Sequence, residues 1–188
     1  MIRPIALIAA QILLSAAAFA GTDVSVPHFT ELAARAGAEV KLVYGPSQRV
    51  TVLKGDPKQG RIEVKDGHRL EIAGCDGAFC WGIHTLVVEV VTPQIESVQA
   101  QSGADVTASG TFPKQAHLSV QAHSGGDADV RVIAGETVDA QASSGGSAHV
   151  QALSTLNASA NSGGDVGYTG HPAHINIQSN SGGDVAAE

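Results

Sequence analysis

Aromatic side chains are scarce in this chain of 188 residues, at 4%, and there are only one methionine and two cysteines. Few rings leave little surface on which nucleic-acid bases or sugars could stack. The net charge is −7 and no cluster of basic residues stands out, which argues against a nucleic-acid partner. After residue 20, no apolar run approaches the roughly 20 residues that a membrane-spanning helix needs.

The first twenty residues have the features of a secretory signal peptide. Arg3 supplies a positive start, residues 5–14 form a short apolar run, and Ala18-Phe19-Ala20 fits a small-x-small cleavage site. The run is too short to span a bilayer, and no cysteine follows the cleavage site to carry a lipid. We therefore expect residues 1–20 to be removed, and the mature protein to reach the periplasm, the cell surface or the medium without a membrane span.

The two cysteines, Cys75 and Cys80, are separated by four residues. In an exported protein such a pair predicts a disulfide, and closing so short a loop contributes about 2 kcal/mol in the chain-entropy model. The spacing differs from the Cys-x-x-Cys of redox enzymes. Two cysteines alone are also too few for a zinc site, which takes four ligands.

Glycine, in contrast, is abundant, and much of it lies in a turn that recurs about every 20 residues. A period of this length is typical of stacked repeat folds. The five copies are Ser102-Gly103-Ala104-Asp105, Ser124-Gly125-Gly126-Asp127, Ser144-Gly145-Gly146-Ser147, Ser162-Gly163-Gly164-Asp165 and Ser181-Gly182-Gly183-Asp184. Because glycine permits positive φ, we expect structural turns at Gly103, Gly125, Gly126, Gly145, Gly146, Gly163, Gly164, Gly182 and Gly183.

Apolar and polar residues alternate before each turn serine, as in the Leu-Ser-Val-Gln-Ala-His of residues 118–123. This alternation predicts a strand with one buried and one exposed face. A second short strand, such as one containing Val130 and Val132, follows each turn, and a looser turn such as Ala134-Gly135 or Ser154-Thr155 closes the period. We therefore predict an all-β fold in which residues 94–188 form a right-handed, β-helix-like solenoid of two parallel sheets.

Residues 21–93 predict an irregular β-rich region ahead of this solenoid. Alternation at period two, cut by Gly, Asp or Pro, favours a β-meander or a sandwich-like arrangement. Residues 29–36 fit either a short helix or a strand. Pro93 marks either a boundary between the two halves or the start of a continuous solenoid with irregular first coils. The predicted strands cover residues 39–44, 49–53, 61–65, 69–72 and 84–91.

Over nearly its whole mature length, the chain resembles the head GIN domain family, the auto-transporter adhesin head domains of exported bacterial proteins. The matching features are a Phe near the start, Ala-Gly-Ala-Glu-Val-Lys-Leu at residues 36–42, Arg-Val-Thr-Val at 49–52, the strand-and-proline step at 86–95, and the Ser-Gly-x-Asp turns. The resemblance implies a β-helix-like fold, export and a role in adhesion.

Two kinds of metal site can be drawn from the sequence. The His171-Pro172-Ala173-His174 segment, with His149 one coil away, has no carboxylate or cysteine at ligand spacing. Calcium takes six to eight oxygens, whereas each turn offers one carboxylate, so capping of the turn backbone is the better interpretation. We therefore predict no metal and no cofactor. The recurring aspartates are Asp105, Asp127, Asp129, Asp165 and Asp184.

An enzyme is also disfavoured. The nucleophile-elbow motif Gly-x-Ser-x-Gly is absent, and the repeat half contains only Lys114 and Arg131 as basic side chains. The outward polar residues are instead the best candidate binding face, although stacked amides also stabilise a solenoid by bonding to one another. The candidate residues are Gln99, Gln101, Gln121, His123, Gln141, Asn161, Gln178 and Asn180.

These observations predict an exported, non-enzymatic β-solenoid that takes part in adhesion or binds a cell-envelope partner. The expected partner is a glycan or protein of the envelope or of a host surface, and homo-oligomer formation stays open. Two alternatives remain: a β-helix enzyme that acts on polysaccharide, and a periplasmic metal-binding module.

Overall fold

The computed structural model of the protein describes residues 21–75 and 86–188, and every regular element in them is a β-strand. The fold is therefore all-β, as predicted. The described residues contain no helix that would be long and apolar enough to cross a membrane. The strands are β1 (Thr22–Val24), β2 (Glu31–Arg35), β3 (Glu39–Tyr44), β4 (Arg49–Lys54), β5 (Arg61–Lys65), β6 (Arg69–Ala73), β7 (Val87–Thr92), β8 (Ser97–Gln101), β9 (Asp105–Ser109), β10 (Gln115–His123), β11 (Asp127–Ser143), β12 (Ser147–Asn161), β13 (Asp165–Thr169), β14 (His174–Asn180) and β15 (Asp184–Ala187).

Two ladders of parallel strands organise the hydrogen-bonded network. The first ladder has the order β6-β2-β8-β10-β11-β12-β14. The second has the order β7-β3-β9-β11-β12-β13-β15. The long strands β11 and β12 contribute one end to each ladder. The pairing aligns equivalent residues of successive repeats, so that Val120, for example, lies between Val98 and Ala140.

The core consists of the apolar residues of each alternating pattern. Leu118, Val138 and Leu156 are fully buried, and burying an aliphatic side chain of this size contributes about 1.5–3 kcal/mol relative to leaving it exposed. Alanines occupy the inward positions beside the turns and are equally buried, which fits a narrow interior at each corner. These alanines are Ala100, Ala122, Ala142 and Ala160.

Each repeated turn is a tight corner that joins a strand of the first ladder to a strand of the second. At the third corner, Ser144 and Gly145 have φ values of 53° and 72°, and Gly146 N donates to Ser143 O at 3.1 Å. Two successive residues with positive φ are the signature of a type I′ turn. Positive φ recurs at the first glycine of all five copies, as the sequence predicts.

The second glycine has a different role, because its φ is not in the left-handed region. A Cβ on Gly146 would lie 2.5 Å from Ala122 O, which belongs to the preceding repeat. The expectation that every turn glycine supplies positive φ is therefore wrong for this position. It needs glycine because two backbones approach closely there. The residues concerned are Gly126, Gly146, Gly164 and Gly183.

Strands of the N-terminal half extend both ladders beyond the first repeat. Ala36 and Gly37 have φ values of 53° and 70° and form a further corner, which joins β2 to β3. These strands pair directly with β8 and β9 of the first repeat, and β6 and β7 pair with them on the other side. Consecutive strands of this half are hydrogen-bonded only at β5–β6 among the described residues, so the β-meander interpretation is wrong.

The two ladders together are called the stack, and the two ends of the stack differ. At the N-terminal end, antiparallel strands cover the ladders: β5 pairs with β6, and β4 followed by β1 pairs with β7. At the C-terminal end, and among the described strands, β14 pairs only with β12, and β15 only with β13. Residues that the alternation predicts to be inward are consequently exposed on β14, where Ile175 is 49% and Ile177 is 44% accessible.

The structure decides one open alternative, and two local details differ from the sequence-based expectations. The segment that fitted either a helix or a strand contains strand β2. The looser turns at Ala134-Gly135 and Ser154-Thr155 lie inside the continuous strands β11 and β12. Register shifts in β11 also change the phase of the alternation, so that Val132 is 43% exposed and Ile133 is buried. The predicted signal peptide and the partner cysteine Cys80 lie outside the described residues.

Candidate functional site

The residues of the predicted binding face lie together on the outer side of the first ladder. One row crosses β8, β10, β11, β12 and β14, and contains Gln99, Gln121, Gln141, Ser159 and Gln178. Since neighbouring strands are about 4.8 Å apart, the amides of this row form a regular series along the stack. We call it the glutamine row. A parallel row lies closer to the corners and contains Gln101, His123, Ser143, Asn161 and Asn180.

Hydrogen bonds restrain four of the five side chains in the corner-side row, and within the described residues Gln101 is the exception. His123 Nδ1 lies 2.6 Å from Ser143 Oγ, and Asn180 Nδ2 donates to Asn161 Oδ1 at 3.3 Å. Asn161 Nδ2 in turn donates to Ser159 Oγ at 3.0 Å. These contacts restrain the side chains along the stack, which is the structural role that stacked amides have in repeat folds.

The glutamine row behaves differently. Within the described part of the chain, no side-chain hydrogen bond joins Gln99, Gln121, Gln141 or Gln178 to a protein group. Each free amide offers two N–H donors and one carbonyl acceptor. Ser159 is the one short side chain in the row, so it leaves a gap between Gln141 and Gln178.

A third outward row completes this surface, and the candidate set from the sequence omitted it. In this row Asn157 Nδ2 donates to Asp139 Oδ1 at 2.7 Å, and His117 Nε2 lies 3.3 Å from Asp139 Oδ2. The same period-two alternation that marked the other rows marks this one, so the signal was present in the sequence. Its members are Ser97, Ser119, Asp139, Asn157 and Asn176.

The third row and the glutamine row form the two walls of a shallow trough of about 230 Å³ that crosses four strands. Its polar lining residues are Ser119, Gln121, Asp139, Gln141, Asn157, Ser159, Asn176 and Gln178. Asp139 is the one ionisable group in this lining, and Asn157 already occupies one of its oxygens. Apart from the Asp139 carboxylate, the trough presents neutral amides and hydroxyls, which suit hydrogen bonding to a neutral polar ligand.

Towards the N-terminal end the same face changes from neutral to charged. Arg69 Nε donates to Glu31 Oε2 at 2.8 Å, and Lys65 Nζ lies 2.6 Å from Glu71 Oε2. Arg35 contacts the other oxygen of the buried Glu71 carboxylate. The hydrogen bond to Glu71 raises the pKa of Lys65 above its usual value. These charges are paired with one another, so this end of the face offers less free hydrogen-bonding capacity than the glutamine row.

A second polar cluster lies on the outer side of the second ladder. Arg131 binds the Asp129 carboxylate through two nitrogens, at 2.9 and 2.6 Å, and donates to Glu188 Oε2 at 2.6 Å. His149 Nδ1 lies 2.6 Å from the other Glu188 oxygen. The bond from Arg131 lowers the pKa of Asp129 and raises that of Arg131. The side chains of this cluster therefore form hydrogen bonds with one another.

The turn aspartates line up at the start of the second ladder. Asp105 neighbours Asp127, and Asp165 neighbours Asp184, with Ser147 between the two pairs. Burial raises the pKa of Asp127, and the nearby Asp105 carboxylate raises it further. No group of three or more His, Cys, Asp or Glu side chains within residues 21–75 and 86–188 is placed to hold a metal ion.

Comparison with known proteins adds a family and a fold. A family model described as "Putative auto-transporter adhesin, head GIN domain" matches residues 28–187. The structure is similar to that of a "putative adhesin" from Bacteroides fragilis NCTC 9343, with a TM-score of 0.59, 12% identity, and coverage of 89% of this chain and 96% of that one. It is also similar to a "putative lipid binding protein" from Parabacteroides distasonis ATCC 8503, with a TM-score of 0.54, 10% identity, and coverage of 89% and 96%. No curated protein matches the sequence significantly.

Proposed function

Because the chain belongs to the family of auto-transporter adhesin head GIN domains, we propose that it is an exported, non-enzymatic adhesion module. In this proposal the two ladders are the sheets of a flattened β-helix-like solenoid, and its repeated outer face binds a glycan or protein of the envelope or of a host surface. Residues 1–20 direct export. The observation that carries the proposal is the glutamine row, whose free amides line a trough on the outer face.

Two physical features favour the trough over the other polar surfaces. Most side chains of the corner-side row and those of the Arg131 cluster are already hydrogen-bonded, so a ligand would have to break existing bonds there. Gln121, Gln141 and Gln178 offer donors and acceptors without that cost. The strands beneath them also fix their spacing, so little order is lost when an extended ligand bonds to several amides at once.

The chemistry of the trough supports binding rather than turnover. Acid–base hydrolysis of a glycosidic bond uses two carboxyl groups on either side of the bond. The described lining has one, Asp139, which is hydrogen-bonded to Asn157. A neutral polar ligand such as an uncharged polysaccharide, or an extended peptide with free backbone groups, matches the row of amides.

Replacing Gln121, Gln141 and Gln178 together by lysine tests the proposal. Each neutral hydrogen bond contributes about 0.5–1.5 kcal/mol, so losing three should weaken binding by roughly 10- to 1,000-fold. Binding should be measured by titration against immobilised envelope extracts and against a panel of neutral glycans. Unchanged affinity of the triple variant for a partner that the natural protein binds would refute the role of the row.

The opposite face offers a matched control. Thr107, Gln151 and Ala186 lie on the outer side of the second ladder, and replacing them by lysine adds the same three charges. This variant should bind as the natural protein does. Circular dichroism and melting temperature should match among all three proteins, so that any loss of binding is assigned to the trough. If both variants lose affinity equally, overall charge and not the row determines binding.

A further inference from the structure

The C-terminal end of the stack is an open surface, which we call the end face and define by β14 and β15. All seven residues of β14 are exposed. Ile175 and Ile177 continue the rows of Leu156 and Ala158, yet they are 49% and 44% accessible, against 0% and 3% for those neighbours. The apolar interior therefore emerges at this face. Both strands also have one edge of backbone donors and acceptors without a partner strand in the described structure.

The longer edge of the end face, β14, lacks the features that protect exposed strand edges. Natural edges are made short, charged, bulged or proline-containing so that they do not pair with other chains. β14 has seven residues, with no Lys, Arg, Asp, Glu or Pro among them. Asp184 is the one acidic residue on the two strands, and it lies beside the corner. A long neutral edge with two exposed isoleucines favours association.

The opposite end of the stack is protected, which restricts the partner. There, the edge strand β1 has only three residues, and the edge strand β5 carries Arg61, Glu63 and Lys65. Glu63 lies 3.4 Å from both Arg61 and Lys65. The charged side chains of β5 and the short length of β1 are devices that protect a sheet edge against pairing with another chain. An open-ended, head-to-tail assembly is therefore disfavoured.

We propose that two copies of this chain associate end face to end face about a two-fold axis. A two-fold axis in the plane of this face brings the strand edges of the two copies together in antiparallel orientation, a pairing that β-strands form readily. The same surface is used on both copies, which closes the assembly at a dimer. Ile175 and Ile177 of each copy then become part of one continuous apolar interior.

The size of the end face sets the expected strength. Strands of this length, in two sheets about 10 Å apart, give a cross-section of roughly 25 by 20 Å. Its accessible surface is on the order of 600–800 Å² for each copy, at or below the roughly 800 Å² of a standard interface. A reversible dimer that forms at micromolar or higher concentration follows, rather than a permanent one.

Sedimentation equilibrium of the purified protein between about 1 and 500 μM tests the proposal. The natural protein should change from the monomer mass to twice that mass as concentration rises, and should not exceed it. Ile177→Lys should weaken association at least tenfold, because two desolvated ammonium groups would face each other across the axis. Ser179→Lys adds the same charge at an exposed, non-apolar position of β14 and should have the same effect without touching the core.

Val132→Lys is the matched control, because Val132 is 43% exposed but lies on β11, which β12 separates from β14. It should dimerise as the natural protein does. The proposal would be overturned by a natural protein that stays monomeric at the highest concentration, or by assemblies larger than a dimer. Dimerisation of both β14 variants at unchanged strength would also overturn it, as would loss of dimers in the Val132 variant alone.

Discussion

Replacing Gly146 by alanine tests the interpretation that the second glycine of each turn is a point of close backbone approach. The added Cβ would lie 2.5 Å from Ala122 O, 2.6 Å from Ala122 C and 2.8 Å from His123 N. All three atoms are backbone atoms of the preceding repeat, so no side-chain rotation relieves the overlap. The corner must move away from its neighbour in the stack.

The cost has two parts. Overpacking of a tightly packed site costs about 1–3 kcal/mol. The corner also donates from Ser147 N to Gly126 O and accepts at Gly146 O from Asp165 N, both at 2.9 Å, and straining such bonds costs about 0.5–1.5 kcal/mol each. We therefore expect Gly146→Ala to lower the free energy of unfolding by about 2–4 kcal/mol. At this chain size the melting temperature should fall by roughly 5–12 °C.

Gly145→Asn is the matched control one residue earlier. Gly145 has a φ of 72° and open space around its Cβ position, and asparagine tolerates the left-handed region. Urea unfolding followed by circular dichroism should show a change of less than about 1 kcal/mol for this variant. If Gly146→Ala proved as mild as Gly145→Asn, the close approach of neighbouring corners would not be what requires the second glycine.

Two further comparisons concern packing and charge. Leu156→Ala should lower the free energy of unfolding by about 3–5 kcal/mol, because it leaves a cavity. Ile175 lies one strand further along the same row but is half exposed, so Ile175→Ala should lower it by less than half as much in urea unfolding. Equal losses would contradict the open end face. Asp127→Asn should stabilise the protein at neutral pH, because the folded-state pKa of Asp127 is raised above its usual 3.8. This gain in stability should vanish as pH falls below about 3.8, where the native carboxyl is itself protonated. Asp129→Asn should do the reverse: Arg131 lowers the pKa of Asp129, so the variant should be less stable at neutral pH, and its deficit should fade as pH falls through that lowered pKa. Melting temperatures measured between pH 3 and 7 would check both signs, and a shared direction would contradict the assigned causes.

The repeat half was largely predictable because its signals are local. Alternation at period two identified the inward residues from Val98 to Ala160, and the Ser-Gly turns identified the corners. The third polar row, with Asp139 and Asn157, was equally visible in that alternation. It was not included in the candidate set because a trough is a property of neighbouring rows and not of one row.

Other features depended on contacts that local patterns do not encode. The corner at Ala36-Gly37 lacks the serine of the other copies, and its neighbour in space, Ser102, is far away along the chain. The phase change that exposes Val132 arises from register shifts between β11 and β12. Such shifts depend on how two strands fit against each other, and neither strand sequence shows them by itself.

The amino-acid sequence by itself determined most of the strands, the Ser-Gly corners and, outside the irregular part of β11, the side of each strand that faces the core. Alternation and positive φ are preferences of a few adjacent residues. The tertiary structure decided the order of stacking, which inserts β2 and β3 between β6–β7 and β8–β9. Within the described residues, it also covers one end of the stack and leaves the other end without a further strand. Burial of Ile175 requires a neighbour beyond β14, and whether a strand has such a neighbour depends on the whole stack.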